Sequence, residues 1–575
     1  MNLNSHLVQR LLRLPPPLTR DLTIERDLRV PMRDGAVLLA DRWAPKSGGD
    51  GLPTALIRAP YGRAGLTAGP MARPLAERGF QVLIQSTRGT FGSEGAFDPL
   101  RREREDGLDT LDWVIRQPWF GESMILYGSS YLGFVQWAVA DALPPQVKAM
   151  IPGVSESALT LDFLRGDAFS LETPFVWGVQ VAGQERPLAM PRQLLRAKKV
   201  RRALRTLPLA QADTAALGHH DDYIQNILAH DAGSPFWQGL DHRHRVPDIQ
   251  VPVSSVGGWY DIFLPGQLRD HRAMQDAGHP LARLTVGPWA HISMGVGQTA
   301  AAEALDFGLA LARGEEPAER APVRLFVMGE EKWRDFPSWP PPGYEPRRFH
   351  LQPGGALSTE APAGSSPDGY RYDPADPTPA LGGVRMAFGE QAGRVDNAAL
   401  EARPDVLTYT TSVLEEDAEV VGEVSAEIFF RSSLPHADVF VRLCDVDADG
   451  RSTNVCDGLI SLTGADEITP ATVTLWPTAY RFRRGHRIRV QVSSGAFPRY
   501  NRNPGTGEPR ATATTLRTAD QQVFHDPQHP SAVLLPVRRT RRQASSYVQP
   551  EAREEETRTS PPERVTVNRA GSPEA

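Results

Sequence analysis

Three short segments of this 575-residue chain carry the residue types that together perform nucleophilic acyl transfer. The first is Gly128-Ser129-Ser130-Tyr131-Leu132-Gly133. It stands between Ser123–Tyr127, a short apolar run of strand character, and a stretch from Tyr131 to Leu143 with apolar residues at helical spacing, which Pro144 and Pro145 stop. A tight strand-to-helix turn of this kind presents a serine hydroxyl to substrate, and its strained backbone requires small neighbours. That requirement selects Ser130: Gly128 lies two residues before it and Gly133 three after, whereas Ser129 has the bulky Tyr127 two before and Tyr131 two after. One position is irregular, because Leu132 stands where a G-x-S-x-G pattern has glycine.

The other two segments supply an acid and a base. Ile249–Gly258 reads as a strand running into a glycine loop, and Trp259-Tyr260-Asp261 follows it. Leu281–Gly287 reads as the next strand, followed by Pro288-Trp289-Ala290-His291. Taken singly, Asp261 reads equally as a cap for a helix beginning at Ile262. Taken jointly, a serine, an aspartate and a histidine in that chain order, each after a strand, match the order used by α/β-hydrolases.

The flanking elements are those such a site needs. Residues 22–155 alternate strand-like runs with helical stretches, among them the amphipathic Asp106–Arg116, which predicts a mostly parallel sheet covered on both faces. From 156 to 245 the strand signal fades into helical, basic and polar sequence, and the sheet pattern resumes over 246–321. An insertion between nucleophile and acid is where a cap belongs, and Phe163, Phe169, Phe175 and Trp177 are candidates to line a pocket, Phe169 and Trp177 foremost. Beyond 322 short alternating β segments, beginning with Val323–Met328, are separated by Pro, Gly and Asp turns and predict a jelly-roll β-sandwich to about 538. Residues 1–21 read as an N-terminal extension and 539–575 as a charged, disordered tail. The expected class is therefore α/β: an α/β-hydrolase core (22–155 and 246–321), a helical cap (156–245) and a C-terminal β-sandwich (322–538).

With these motifs in view, the chain resembles the cocaine-esterase and X-prolyl dipeptidyl-peptidase superfamily of serine hydrolases. The resemblance rests on the elbow Gly128–Gly133, the acid loop Gly257-Gly258-Trp259-Tyr260-Asp261 and the histidine loop Gly287-Pro288-Trp289-Ala290-His291. Thr87–Gly95, Asp106–Trp119, Asn503–Gly507 and His525–Ser531 also look like segments of that family, so the likeness spans roughly residues 22 to 538. It implies Ser130 as nucleophile, His291 as general base and then acid, and Asp261 as the group that orients the imidazole. It further implies an oxyanion hole built from the Tyr131 backbone N–H and a tyrosine hydroxyl on an early loop, which Arg58-Ala59-Pro60-Tyr61-Gly62 supplies as Tyr61. A phenol with a pKa near ~10 stays protonated at neutral pH and can donate to an alkoxide.

Composition fits a large enzyme and excludes other classes. A net charge of −6 offers no basic field for nucleic acid or anionic membrane, and 40% hydrophobic residues suffice for more than one core. The first residues form no secretory signal, and no window offers about 18 unbroken apolar residues. Two cysteines among 575 residues suit a reducing cytoplasm. Asp445–Gly450 opens like a calcium loop, but Cys456 stands where the bidentate glutamate belongs, so a hairpin turn is expected. The His219-His220-Asp221-Asp222 run suggests no complete metal site, and neither metal nor cofactor is expected. The functional expectation is a serine hydrolase acting on carboxylic esters through an acyl-enzyme, with a small-molecule ester, amide or short peptide as substrate. A homodimer is compatible with the sequence. The alternatives are an X-prolyl dipeptidyl peptidase, an α-amino-acid ester hydrolase or acylase, and a non-enzymatic jelly-roll binding protein.

Overall fold

The computed structural model describes residues 3–159, 164–165, 168–186, 189–386 and 391–539. Phe163 and all but the first residue of the expected tail lie outside the described residues.

Ten strands form the first sheet: β1 (Leu22–Pro31), β2 (Val37–Pro45), β3 (Thr54–Ala59), β4 (Gln81–Ser86), β5 (Met124–Ser129) and β6 (Val147–Gly153), then, past a two-stranded hairpin of β7 (Leu164–Arg165) and β8 (Ala168–Phe169), β9 (Val253–Tyr260), β10 (Ala282–Ala290), β11 (Val323–Val327) and β12 (Lys332–Phe336). Their order is β1-β2-β4-β3-β5-β6-β9-β10-β11-β12, parallel from β4 through β11 and antiparallel at both edges. Strands β3, β4 and β9 are buried along their whole length, polar residues such as Gln81, Gln85, Ser254 and Ser255 included, because helices cover both faces of a parallel sheet. Alternate residues feed two separate cores: Ala55, Ile57, Val82, Ile84 and Ile125 on one face, Leu56, Leu83 and Leu126 on the other.

The carboxyl ends of β5, β9 and β10 open onto the same edge of the sheet, the edge where open α/β sheets hold their ligands. Ser130 follows β5, Asp261 follows β9 and His291 follows β10.

Three expectations need correction. Val323–Met328 was expected to open the β-sandwich, but β11 pairs in parallel with β10, Leu284 opposite Val323, and with β12 completes the first sheet. Alternating burial looks the same locally in either sheet; the partner strand decides membership. The helix after Ser130 runs only Tyr131–Trp137, with a short 3-10 turn at Ala140–Ala142: the ladder tightens to i→i−3 bonds, the Val139 N–H donating to the Gln136 carbonyl at 3.2 Å and the Ala142 N–H to the Val139 carbonyl at 3.0 Å. The 156–245 insertion holds helices Glu172–Val181, Ala189–Ala203, Ala212–Leu217 and Asp222–Ala229, but also the β7–β8 hairpin, whose strands are too short to show an alternation.

The strands between Tyr344 and Arg538 form a second, fourteen-stranded network, antiparallel apart from Ala356 opposite Thr410. Asp447 closes the hairpin between His436–Val446 and Ser452–Thr463, its carboxylate accepting the Asp449 and Arg451 N–H groups at 3.0 and 2.9 Å. Cys456 lies opposite Leu443 and Cys444 opposite Asn454, so the two thiols are out of register, free and buried. Among the described residues no helix is long and apolar enough to cross a membrane.

Candidate active site

Ser130 occupies a backbone conformation that L-residues rarely adopt, φ 61° and ψ −125°. Such a residue costs about 1–3 kcal/mol and persists only when its surroundings fix it. Here the Ser130 N–H donates to the Gly153 carbonyl at 2.8 Å, and the Ser130 carbonyl accepts from Gly133 and Phe134 at 2.8 and 3.0 Å. A Cβ on Gly128 would lie 2.4 Å from that of Leu132, and one on Gly133 would lie 2.1 Å from Ser155 Oγ. The close approach that needs glycine therefore falls three residues after Ser130, not two. Leu132 is free to be leucine because it packs into the core over Gly128.

Behind the turn the Tyr131 side chain is held at both ends. Its hydroxyl donates to Glu103 Oε1 at 2.6 Å and accepts from the Leu100 N–H at 2.9 Å, while Glu103 faces Arg58 at 2.8 Å. Burial first, and then the Glu103 carboxylate, push the Tyr131 phenol well above its ordinary range, so it remains a donor. Glu103 is missing from the sequence-predicted helix, which begins at Asp106; the observed helix runs Glu103–Ile115.

His291 bridges the other two residues. Its Nδ1 lies 2.6 Å from Asp261 Oδ2 and its Nε2 lies 2.8 Å from Ser130 Oγ. A carboxylate can only accept, so the Nδ1–H donates to Asp261, which leaves the Nε2 lone pair for the serine hydroxyl. Phe263 stands edge-on to the imidazole, ring centres 5.3 Å apart. Asp261 is fully buried, and its Oδ1 accepts the Phe263 N–H at 2.9 Å. One carboxylate oxygen thus orders the turn before helix Leu264–Asp276, as the capping alternative anticipated in kind, while the other meets His291.

Tyr61 follows β3 and shares one apolar cavity with Ser130, Tyr131 and Trp177. The Trp177 indole N–H donates to the Tyr61 hydroxyl at 3.0 Å, and the Trp177 ring stacks on Tyr131 with centroids 6.0 Å apart. Burial pushes the Tyr61 phenol up to about 12, so it carries its proton at neutral pH. The Tyr131 N–H belongs to the first turn of a helix, where backbone donors have no intrahelical acceptor. Leu100, Phe134, Leu159, Pro174, Tyr223, Ile262, Phe263 and Met386 complete much of the wall, and none of the described lining residues is charged.

Phe169 is not part of this cavity. It is buried beneath the Arg510 guanidinium, 4.9 Å from its ring, and lines a separate polar cavity with Asp438 and Asn503. The pairing of Ser170 with Tyr500 draws β8 toward the C-terminal strands. Phe175 is core. Ile262 and Phe263, adjacent in sequence to Asp261, were open to sequence reasoning; Tyr223 and Met386 come from distant segments and carry no local signal. Among the described residues no group of three or more His, Cys, Asp or Glu side chains gathers as a metal site.

Two family models match the chain: X-Pro dipeptidyl-peptidase (S15 family) over residues 34–293, and X-Pro dipeptidyl-peptidase C-terminal non-catalytic domain over residues 318–534. With the sheet and the Ser130–His291–Asp261 geometry, they define a serine hydrolase of the α/β-hydrolase fold with a C-terminal β-rich domain. A cocaine esterase from Rhodococcus sp. (strain MB1 Bresler) is 33% identical over an alignment 574 positions long, spanning 90% of this chain and 98% of its own. The chain belongs to the cocaine-esterase and X-prolyl dipeptidyl-peptidase superfamily. Two solved structures share the fold: an aminopeptidase from a marine sediment Thaumarchaeota archaeon (TM-score 0.76, 22% identity, 92% of this chain and 99% of that one) and an α-amino acid ester hydrolase (TM-score 0.75, 24% identity, 91% and 98%).

Proposed function

We propose that this hydrolase cleaves carboxylic esters whose acyl or alcohol part is apolar and uncharged, through an acyl-enzyme on Ser130. The observation that carries the reading is the hydrogen-bonded line from Asp261 through His291 to Ser130, at 2.6 and 2.8 Å, opening into an apolar cavity. As Ser130 Oγ bonds to the carbonyl carbon, its proton passes to His291 Nε2. The resulting alkoxide is met by the Tyr131 N–H and the Tyr61 hydroxyl. Collapse breaks the bond to the alcohol oxygen, which takes the proton from Nε2, and water then repeats the sequence to release the acid. Asp261 keeps its charge and stabilises the imidazolium.

The choice of ester over peptide rests on the lining. An X-prolyl peptidase or an α-amino-acid ester hydrolase must compensate a substrate's charged α-amine, which calls for a buried carboxylate. No Asp or Glu is among the described residues that line the Ser130 cavity. Purified protein assayed against p-nitrophenyl esters, aryl amides and Xaa-Pro anilides tests the reading: aryl esters should be turned over fastest, and a clear preference for the anilides would overturn it.

A further inference from the structure

Asp261 is positioned from outside the hydrolase sheet. Its carbonyl is buried and poorly served by its own helix, the Leu264 N–H lying 3.4 Å away. A buried carbonyl needs a partner, and the good one is the Trp476 indole N–H at 2.9 Å. Trp476 stands between strands Thr469–Thr474 and Thr478–Phe482, within the region matched by the C-terminal domain described as non-catalytic. It is itself firmly held. Its backbone N–H donates to the Asp457 carbonyl at 3.0 Å, and the Arg499 guanidinium lies over its ring at 4.7 Å. The Asp457 carboxylate pairs with Arg499 and, at 3.0 Å, with Arg442. Trp476, Asp457, Arg442 and Arg499 are each 4% exposed or less. A rigid bicyclic donor clamped in this way fixes the peptide whose side chain must meet His291 Nδ1 at 2.6 Å.

We infer that Trp476 is a positioning residue for the Asp261–His291–Ser130 line, so that the C-terminal domain takes part in catalysis by holding the acid in place. This rests on the role proposed above for Asp261. Because the contact acts on geometry and not on the substrate pocket, Trp476→Phe in the full chain should lower kcat for an aryl ester about tenfold with KM nearly unchanged. It should slow fluorophosphonate labelling of Ser130 to a similar degree. Replacing Trp476 with benzothienylalanine, which keeps the indole's shape and lacks only the N–H, should give the same loss and guards against a packing defect. The deciding measurement is the cycle with Asp261→Asn. If Trp476 works through Asp261, removing its N–H costs little further in the Asp261→Asn background; a merely structural tryptophan costs the same factor in both. Wild-type kcat and labelling rate in the benzothienylalanine protein, or equal losses in both backgrounds, overturn the inference alone. A near-wild-type Asp261→Asn enzyme overturns the role of Asp261 and this inference with it.

Discussion

Two serines stand side by side where β5 ends, Ser129 closing the strand and Ser130 opening the turn, and only Ser130 reaches His291. Ser130→Ala should therefore lower ester turnover by several orders of magnitude, to as little as ~10⁻⁶ of wild type, with folding intact. Ser129→Ala should cost far less, because Ser129 Oγ lies against Gly153 instead of the imidazole. Fluorophosphonate labelling mapped by mass spectrometry to Ser129 would contradict this. Tyr61 offers a sharper test of how the alkoxide is stabilised. Tyr61→Phe keeps the ring against Tyr131, 6.5 Å between centroids, and removes only the hydroxyl. If that hydroxyl meets the alkoxide, kcat should fall by about 10²–10³, or roughly 2.7–4 kcal/mol, with a smaller change in KM. Near-wild-type kcat, with chemistry shown to be rate-limiting, removes Tyr61 from the oxyanion hole.

At the scale of single elements, the helix after Ser130 can approach β6 only because Gly133 has no side chain. In Gly133→Ala the new methyl meets Ser155 Oγ, so the turn must shift, at about 1–3 kcal/mol in stability and with a larger proportional loss of activity. In a Ser155→Gly background the first obstacle is gone and the next contact, the Gly153 carbonyl at 3.2 Å, is milder, so activity should partly return. Denaturant titration and kcat, measured on both proteins, separate the two effects. Strand His436–Val446 carries a second consequence. Asp438 accepts hydrogen bonds from Ser461 and Asn503 at 2.7 and 2.8 Å, but burial outweighs them and raises its carboxyl to about 6. The folded pKa lies above the unfolded value near ~3.9. The associated stability is thus fully present below about pH 4 and is lost as pH rises through 6, a change of about 2–3 kcal/mol. Asp438→Asn should flatten the stability profile between pH 4 and 7, and an unchanged profile would show that another group sets it.

Across the whole molecule, buried charge ties distant segments together. Arg385 pairs with Glu172 at 2.9 Å, both side chains at most 5% exposed, joining helix Glu172–Val181 of the insertion to the segment carrying Met386. Their sequence neighbours Thr173, Pro174 and Met386 all line the Ser130 cavity. Arg385→Ala removes the hydrogen-bonded ion-pair partner of buried Glu172, leaving only the attraction of Arg499 among the described residues, and should destabilise the protein by up to about 3–5 kcal/mol. Thermal unfolding checks this, and a loss below about 1 kcal/mol would show that Glu172 finds another partner.

What the sequence determined by itself was whatever depends on local pattern. Strict steric limits at Gly128 and Gly133, apolar runs long enough for buried strands, and an acid and a histidine after successive strands made the mostly parallel sheet and the Ser130–Asp261–His291 set legible. The same local rules misjudged Val323–Met328, whose alternation suits either sheet, and Phe169, whose aromatic character says nothing about which cavity it faces. The tertiary structure decided contacts between residues far apart in the chain: Tyr223 and Met386 beside Ser130, Glu103 beneath Tyr131, and Trp476 on Asp261 across 215 positions. Such contacts leave no periodic trace, because each is made by one side chain meeting one partner only after the strands between them have found their register.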